Sequence, residues 1–110
     1  MILPNPALAI IDEDKLSGYS LNPEHSEGKH KARVFKSVLN MDVSNSAELR
    51  QALLDALINY DAVPTKQNAY GQKYIIDFPL SREGKTATIH SVWIVRIDED
   101  FPRLITCYVL

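Results

Sequence analysis

The spacing of hydrophobic residues changes from a helical to a strand-like period near the middle of the chain. Between residues 29 and 60, apolar side chains recur every three or four positions, and this predicts two amphipathic helices, over 29–40 and over 45–60. After Pro64 the chain is rich in β-branched and aromatic residues, which predicts strands over 70–80, 86–97 and 103–110. The short turns between these strands predict an antiparallel meander.

The first 20 residues give weaker signals. Two prolines favour an extended conformation over residues 3–11, which could add a strand at a sheet edge. Asp12 is a plausible N-cap for a short helix that ends at Gly18. A polar loop is expected over residues 20–28. In the second long helix, Asn45 and Glu48 resemble a capping box.

The order of these elements predicts an α+β fold, in which N-terminal helices pack on a C-terminal antiparallel β-sheet of three to four strands. With 110 residues, the chain has room for one hydrophobic core. We therefore expect residues 1–110 to form a single domain.

Composition restricts the classes of function. The net charge of −2 gives no overall attraction to nucleic acid or to an anionic membrane, so a polyanion would need a local basic patch. No segment is apolar over the ~18 residues that a membrane span needs. A single cysteine, Cys107, cannot form an internal disulfide, and we expect a cytoplasmic protein. No histidine has the spacing of a zinc ligand and no glycine-rich phosphate loop is present, so neither metal nor cofactor is expected.

The predicted helix over 29–40 begins with the densest positive charge on the chain. A rotation of 100° per residue places Lys29 and Arg33 on an outward strip, turns Lys31 toward the body of the protein, and leaves His30 at the border. Cations in a first helical turn oppose the macrodipole, whereas helix N–H groups with His and Lys can bind phosphate. A solvated basic face with Lys31 snorkelling past the core is the alternative.

A second polar group is expected on the sheet. Strand alternation puts Leu104, Thr106 and Tyr108 on one face and Ile105, Cys107 and Val109 on the other, which is the core side. In the preceding strand both faces are partly apolar, so either His90 or Ser91 joins Thr106 and Tyr108. Ordinary cross-strand hydroxyl pairing would explain the same pattern. For Tyr70, followed by a glycine, a turn next to an ordinary aromatic residue is the structural alternative.

Short sequence words, in order and with consistent spacing, resemble a bacterial domain-of-unknown-function family, number 6883, over essentially the whole chain. The words include Leu3-Pro4-Asn5, Lys15-Leu16 with Tyr19, Leu21-Asn22-Pro23-Glu24-His25, Gly28 with residues 30–33, Tyr70-Gly71, Trp93-Ile94-Val95, Pro102-Arg103-Leu104, and Thr106 with Tyr108. Members of that family occur as C-terminal domains of polymorphic toxins and beside small partner genes. The resemblance implies a toxin that a small cognate antitoxin or immunity protein neutralises.

By analogy of fold, the resemblance also implies a small ribonuclease-toxin-like domain that cleaves RNA without a metal. In that hypothesis His30 is the base or acid and Lys31 neutralises developing charge, while Thr106, Tyr108 and Ser91 orient the phosphate or protonate the leaving group. Binding of the RNA backbone and bases would fall to a set of four residues, Lys29, Arg33, Tyr70 and His90.

The competing hypothesis is a non-catalytic immunity- or antitoxin-type binding module. Its acidic turn over 98–100 would contact a basic toxin. The two hypotheses differ in one structural respect. Catalysis requires His30, Lys31 and the face carrying Thr106 and Tyr108 to converge within a few ångströms, and a binding module does not.

Overall fold

The predicted α+β fold is confirmed by a computed structural model that describes residues 1–110. A short helix α1 leads into a single π-helical turn, and two longer helices, α2 and α3, precede four strands. The bounds are α1 Glu13–Lys15, the π-helical turn Leu16–Ser20, α2 Lys29–Leu39, α3 Ser46–Asn59, β1 Val63–Gln67, β2 Gly71–Arg82, β3 Lys85–Arg96 and β4 Pro102–Val109. Short 3-10 turns occupy Pro6–Leu8 and Val43–Asn45.

The strands form one antiparallel meander in the order β1-β2-β3-β4. Strand β1 was not predicted, and it contains Pro64, which lacks a backbone N–H. The sheet accommodates this proline because β1 is an edge strand. Between β3 and β4 the register shifts after the pairs His90 with Tyr108 and Val92 with Thr106. The shift leaves Ile105 as a bulged residue on β4.

Helices α2 and α3 cover one face of the sheet, α3 against β2 and α2 against β3 and β4. The core between these layers contains Trp93 of β3 and Phe35 of α2, both fully buried. The apolar stripes predicted for both helices are thus the faces that pack on the sheet. The capping box lies one turn earlier than predicted, because Asp42 rather than Glu48 pairs with Asn45.

The N-terminal segment folds over the β4 edge, where Ile10 makes one parallel bridge to Arg103. Asp12 caps α1 by accepting a hydrogen bond from the Asp14 amide at 3.1 Å. The prediction that Gly18 ends this helix is wrong. The chain continues helically to Ser20, whose hydroxyl donates to the Cys107 carbonyl at 2.8 Å and fixes the turn to β4.

Candidate active site

Lys31 is the centre of a polar cluster between helix α2 and strand β4. Its Nζ donates to the Tyr19 hydroxyl at 2.8 Å and to Thr106 Oγ1 at 3.4 Å. Nζ also lies 4.4 Å from the ring centroid of Tyr19 and 5.4 Å from that of Tyr108, within the range of cation–π attraction. Lys31 is half-buried and forms no ion pair with a carboxylate. A partly desolvated cation with neutral partners can bind an anion.

Two backbone contacts set the position of Tyr19 relative to Lys31. Gly28, immediately before α2, packs so closely on the Tyr19 carbonyl that a Cβ at Gly28 would lie 2.2 Å from that oxygen. On the other side, the bond from Ser20 to the Cys107 carbonyl holds the turn against β4. Because Lys31 follows Gly28 by three residues, the two residues lie on the same face of helix α2. The contacts at Gly28 and Ser20 therefore bring the Tyr19 hydroxyl within reach of the Lys31 side chain.

His25 extends the cluster on the Tyr19 side. Its ring meets the edge of Tyr19 at 4.9 Å between centroids with an interplanar angle of 79°. The backbone N–H groups of Glu27 and Gly28 both donate to His25 Nδ1 at 3.0 Å. Since Nδ1 accepts two hydrogen bonds, the ring proton lies on Nε2. His25 therefore presents Nε2–H as a donor.

His90 extends the cluster on the Tyr108 side and has the opposite hydrogen-bonding arrangement. Its ring lies 4.9 Å from that of Tyr108, with an interplanar angle of 38°. His90 Nδ1 is 2.7 Å from Asp77 Oδ1. Because a carboxylate only accepts, Nδ1 carries the proton and Nε2 of the neutral ring has a free lone pair. The alternatives of His90 or Ser91 are thus resolved in favour of His90, which shares a face with Thr106 and Tyr108.

Ser91 and His30 are not brought into the cluster. Ser91 is fully buried, where it donates to the Ile76 carbonyl at 2.6 Å and accepts from Trp93 Nε1 at 2.9 Å. Its hydroxyl is therefore part of the core. His30 is exposed on α2 and forms no side-chain hydrogen bond or aromatic contact. The imidazoles of the cluster come instead from His25 in a loop and His90 on a strand.

The predicted substrate-binding residues lie on different surfaces. Lys29 and Arg33 are exposed on the outer side of α2 and line a separate concavity. Tyr70 is 75% exposed in the turn before β2, at a distance from Lys31 along the sheet. His90 alone among the four is in contact with the cluster.

An open cavity of about 650 Å³ gives access to the cluster. Tyr19, His25, Lys31 and Thr106 line it, together with Asp12 and Asp14. The region contains no group of three or more His, Cys, Asp or Glu side chains placed to hold a metal ion. No helix of the chain is long and apolar enough to cross a bilayer.

Cys107 lies directly behind the cluster but takes a structural role. Its side chain is fully buried on the core side of β4, and burial raises the pKa of its thiol to about 12. The thiol is thus protonated and points away from the cavity, next to the Ser20 hydroxyl at 3.8 Å. A thiolate nucleophile is not available at this site.

Comparison with protein families gives an assignment at the level of family. Residues 2–110 match the family described as Domain of unknown function (DUF6883). The chain belongs to DUF6883. The resemblance drawn from short sequence words is therefore confirmed. No curated protein matches the DUF6883 chain.

Among solved structures, the DUF6883 chain is similar to one chain of a contact-dependent growth inhibition toxin–immunity protein complex from Klebsiella pneumoniae 342. The TM-score is 0.65 at 20% sequence identity, over 92% of the present chain and 99% of the other. At this level of identity the similarity establishes a shared fold.

The sequence analysis missed two members of the cluster, Tyr19 and His25, as functional residues. Both belong to the sequence words that carry the family resemblance, and this was the available signal. Periodicity does not reveal them because they lie in a π-helical turn and a loop, and only the tertiary contacts at Gly28 and Ser20 bring them to β4.

Proposed function

We propose that this chain is the toxin of a bacterial toxin–immunity system and that it cleaves RNA without a metal ion. The observation that carries the proposal is the position of Lys31, a half-buried cation held by the hydroxyl groups of Tyr19 and Thr106, with His25 against Tyr19 and His90 against Tyr108. RNA cleavage by the ribose 2′-hydroxyl needs a base, a hydrogen-bond donor to the leaving oxygen and positive charge at the phosphate.

In the proposed reaction His90 Nε2 accepts the proton of the 2′-hydroxyl, and the 2′-oxygen attacks the adjacent phosphorus. The bond from phosphorus to the 5′-oxygen breaks. His25 Nε2–H donates a hydrogen bond to that leaving oxygen, which takes its proton from a water molecule, and the proton that His90 gained neutralises the hydroxide so formed. The products are a 2′,3′-cyclic phosphate and a 5′-hydroxyl. Asp77 keeps His90 in the tautomer that can accept a proton, and two backbone amides keep His25 in the tautomer that offers a hydrogen bond from Nε2.

Lys31 would stabilise the charge that develops on the phosphate oxygens. Because Lys31 Nζ donates to the Tyr19 hydroxyl, the hydroxyl's own proton remains free to bind a phosphate oxygen. The Thr106 hydroxyl has the same arrangement, and Tyr108 separates Lys31 from His90. Removal of one such preorganised donor typically lowers kcat by about 10²–10³-fold.

The comparison with a toxin–immunity complex supports a protein partner of the same kind. A chain that shares this fold is part of such a complex, and the family resemblance implies a small cognate immunity protein. The competing hypothesis of a binding module relied on an acidic turn at 98–100. In the structure Glu99 forms two 2.7 Å hydrogen bonds with Arg103, so this turn offers less free negative charge than the sequence implied.

The proposal is tested by inducing the chain in a bacterial host and following growth and RNA integrity together. Wild type should arrest growth and fragment RNA; His90→Ala should lower cleavage by about 10²–10⁴-fold and His25→Ala by about 10²–10³-fold. His30→Ala is the matched control, because His30 is an exposed histidine that forms no side-chain hydrogen bond and no aromatic contact with the cluster. If wild type is harmless at high expression, or if His30→Ala alone abolishes cleavage, the proposed site is wrong.

A further inference from the structure

The cavity at Lys31 opens into a groove that follows the exposed face of the sheet. Three adjoining concavities have Ile105, the bulged residue of β4, as a common lining residue. The second and third also share Ile94 and Arg96 on β3. The largest of the three, about 900 Å³, has Tyr70 in its lining. Adjoining concavities thus form a groove that links the candidate active site to the turn before β2.

The far end of the groove carries two cations without ion-pair partners. Lys73 and Arg96 both line it, and neither forms a salt bridge. One carboxylate, Asp98, lines the same end. The other arginine of the groove, Arg103, is already occupied by Glu99 at 2.7 Å. Lys73 and Arg96 are therefore the cations that remain available for an anionic ligand.

Tyr70 is presented at the end of the groove by a constrained turn. The Asn68 side chain accepts the Tyr70 and Gly71 amides at 2.8 Å and 3.2 Å. Gly71 has φ = +156°, and a Cβ there would lie 2.2 Å from the Val95 carbonyl. Only glycine fits at this position. The turn fixes the backbone of Tyr70, which is 75% exposed. Subsites on which nucleic-acid bases stack combine such an exposed aromatic side chain with nearby cations.

The distance along the sheet matches a short stretch of nucleic acid. Thr106 accepts a hydrogen bond from Lys31 and is the cross-strand partner of Val92 on β3. Arg96 lies four residues beyond Val92 on the same strand. Four strand residues span ~13 Å. Arg96 pairs with Gly71, next to Tyr70. A few extended nucleotides would bridge this distance, with phosphates at both ends.

We propose that this groove binds single-stranded RNA on one side of the scissile phosphate, with backbone phosphates at Lys73 and Arg96 and a base stacked on Tyr70. This inference rests on the proposed ribonuclease function and adds the form of its substrate. A duplex would place its bases out of reach of Tyr70, whereas unpaired bases are free to stack on an aromatic side chain. The groove therefore selects a single strand several nucleotides long.

The first test is binding, which does not depend on catalysis. A fluorescent single-stranded oligonucleotide with 2′-O-methyl groups has no 2′-hydroxyl nucleophile and cannot be cleaved. We expect Lys73→Ala/Arg96→Ala to lower its affinity and to reduce the slope of log K against log salt by about 1.4. Tyr70→Ala should lower affinity by about tenfold or more. The matched control is Lys66→Ala/Lys85→Ala, which removes the same charge from exposed positions outside the groove.

The second test is cleavage of a dinucleotide and of a longer single strand. The groove variants should lose about tenfold more kcat/KM on the long RNA than on the dinucleotide. If wild type cleaves RNA but the groove and control variants bind equally well, this inference is wrong and the proposed function stands. If wild type cleaves nothing yet the groove variants lose binding, the function is wrong and the groove stands.

Discussion

The closest approach between the helical layer and the π-helical turn gives the sharpest structural prediction, for Gly28→Ala. Gly28 has φ −67° and ψ −20°, which alanine adopts freely. The effect of the substitution is thus steric. The new Cβ would lie 2.2 Å from the backbone carbonyl oxygen of Tyr19 and 2.9 Å from the carbonyl carbon. Ordinary contacts require about 3.5 Å, so α2 and Tyr19 must separate by roughly 1 Å.

This separation acts directly on the candidate active site. Lys31 follows on the same helical face, and its hydrogen bond to the Tyr19 hydroxyl is 2.8 Å long. A displacement of ~1 Å in a catalytic group costs about 10²-fold in rate. Overpacking of this kind also lowers the free energy of unfolding by about 1–3 kcal/mol, and each kcal/mol lowers the Tm of a domain of this size by about 4–8 °C.

The assay measures kcat/KM for RNA cleavage at a temperature well below both melting transitions, with Tm from circular dichroism. Gly18→Ala is the matched control. Its Cβ would meet only the Asp14 side chain, at 3.4 Å or more, so it should change neither quantity much. The reasoning is refuted if Gly28→Ala has wild-type kcat/KM and wild-type Tm.

Three further predictions concern residues around the site. Ser91→Ala should lower stability by about 1–3 kcal/mol, because it leaves the buried Trp93 N–H without its acceptor; thermal melts should show the loss, and unchanged stability would contradict the structural role. Because its pKa is raised to about 12, Cys107 should resist iodoacetamide at pH 8 until the chain is denatured, and rapid labelling of the native chain would contradict its burial. The hydrogen bond from Arg50 lowers the pKa of Glu13 from 4.5 to about 2, so this pair stabilises the fold above pH 4.5 and loses its effect as the pH falls toward 2. Arg50→Met should therefore move the midpoint of acid unfolding to higher pH. An unchanged midpoint would count against the pair.

Much of the fold was predictable because local patterns and tertiary packing agree. The stripe that contains Phe35 is the face of α2 that meets the sheet, and alternation gives the correct faces for Thr106, Cys107 and Tyr108. Alternation fails one step earlier, because the bulge at Ile105 turns Leu104 into the core and leaves Ile105 lining the cavity. The exceptions are places where tertiary contacts override a local rule. Pro64 is accepted in an edge strand, and Gly18 does not end the helical segment because Ser20 anchors the turn to β4.

The candidate site was predictable only in part. Helical rotation correctly turned Lys31 inward, and strand alternation placed Thr106 and Tyr108 together. The same rotation left His30 at a border, and in the structure it is exposed. Strand β3 is partly apolar on both faces, so its pattern did not decide between His90 and Ser91. The contact of His25 with Tyr19 depends on a loop, for which sequence periodicity carries no information.

The central claim is that Lys31 is the catalytic cation of a metal-independent ribonuclease. The most direct measurement is cleavage of a 5′-labelled single-stranded RNA by purified wild type and by Lys31→Met, both in EDTA, with the product ends identified. Methionine keeps the length of the side chain and removes its charge. We predict wild-type cleavage to 2′,3′-cyclic phosphate and 5′-hydroxyl ends, and a loss of about 10²–10³-fold in Lys31→Met. No cleavage by wild type in EDTA, or full activity of Lys31→Met, would contradict the account.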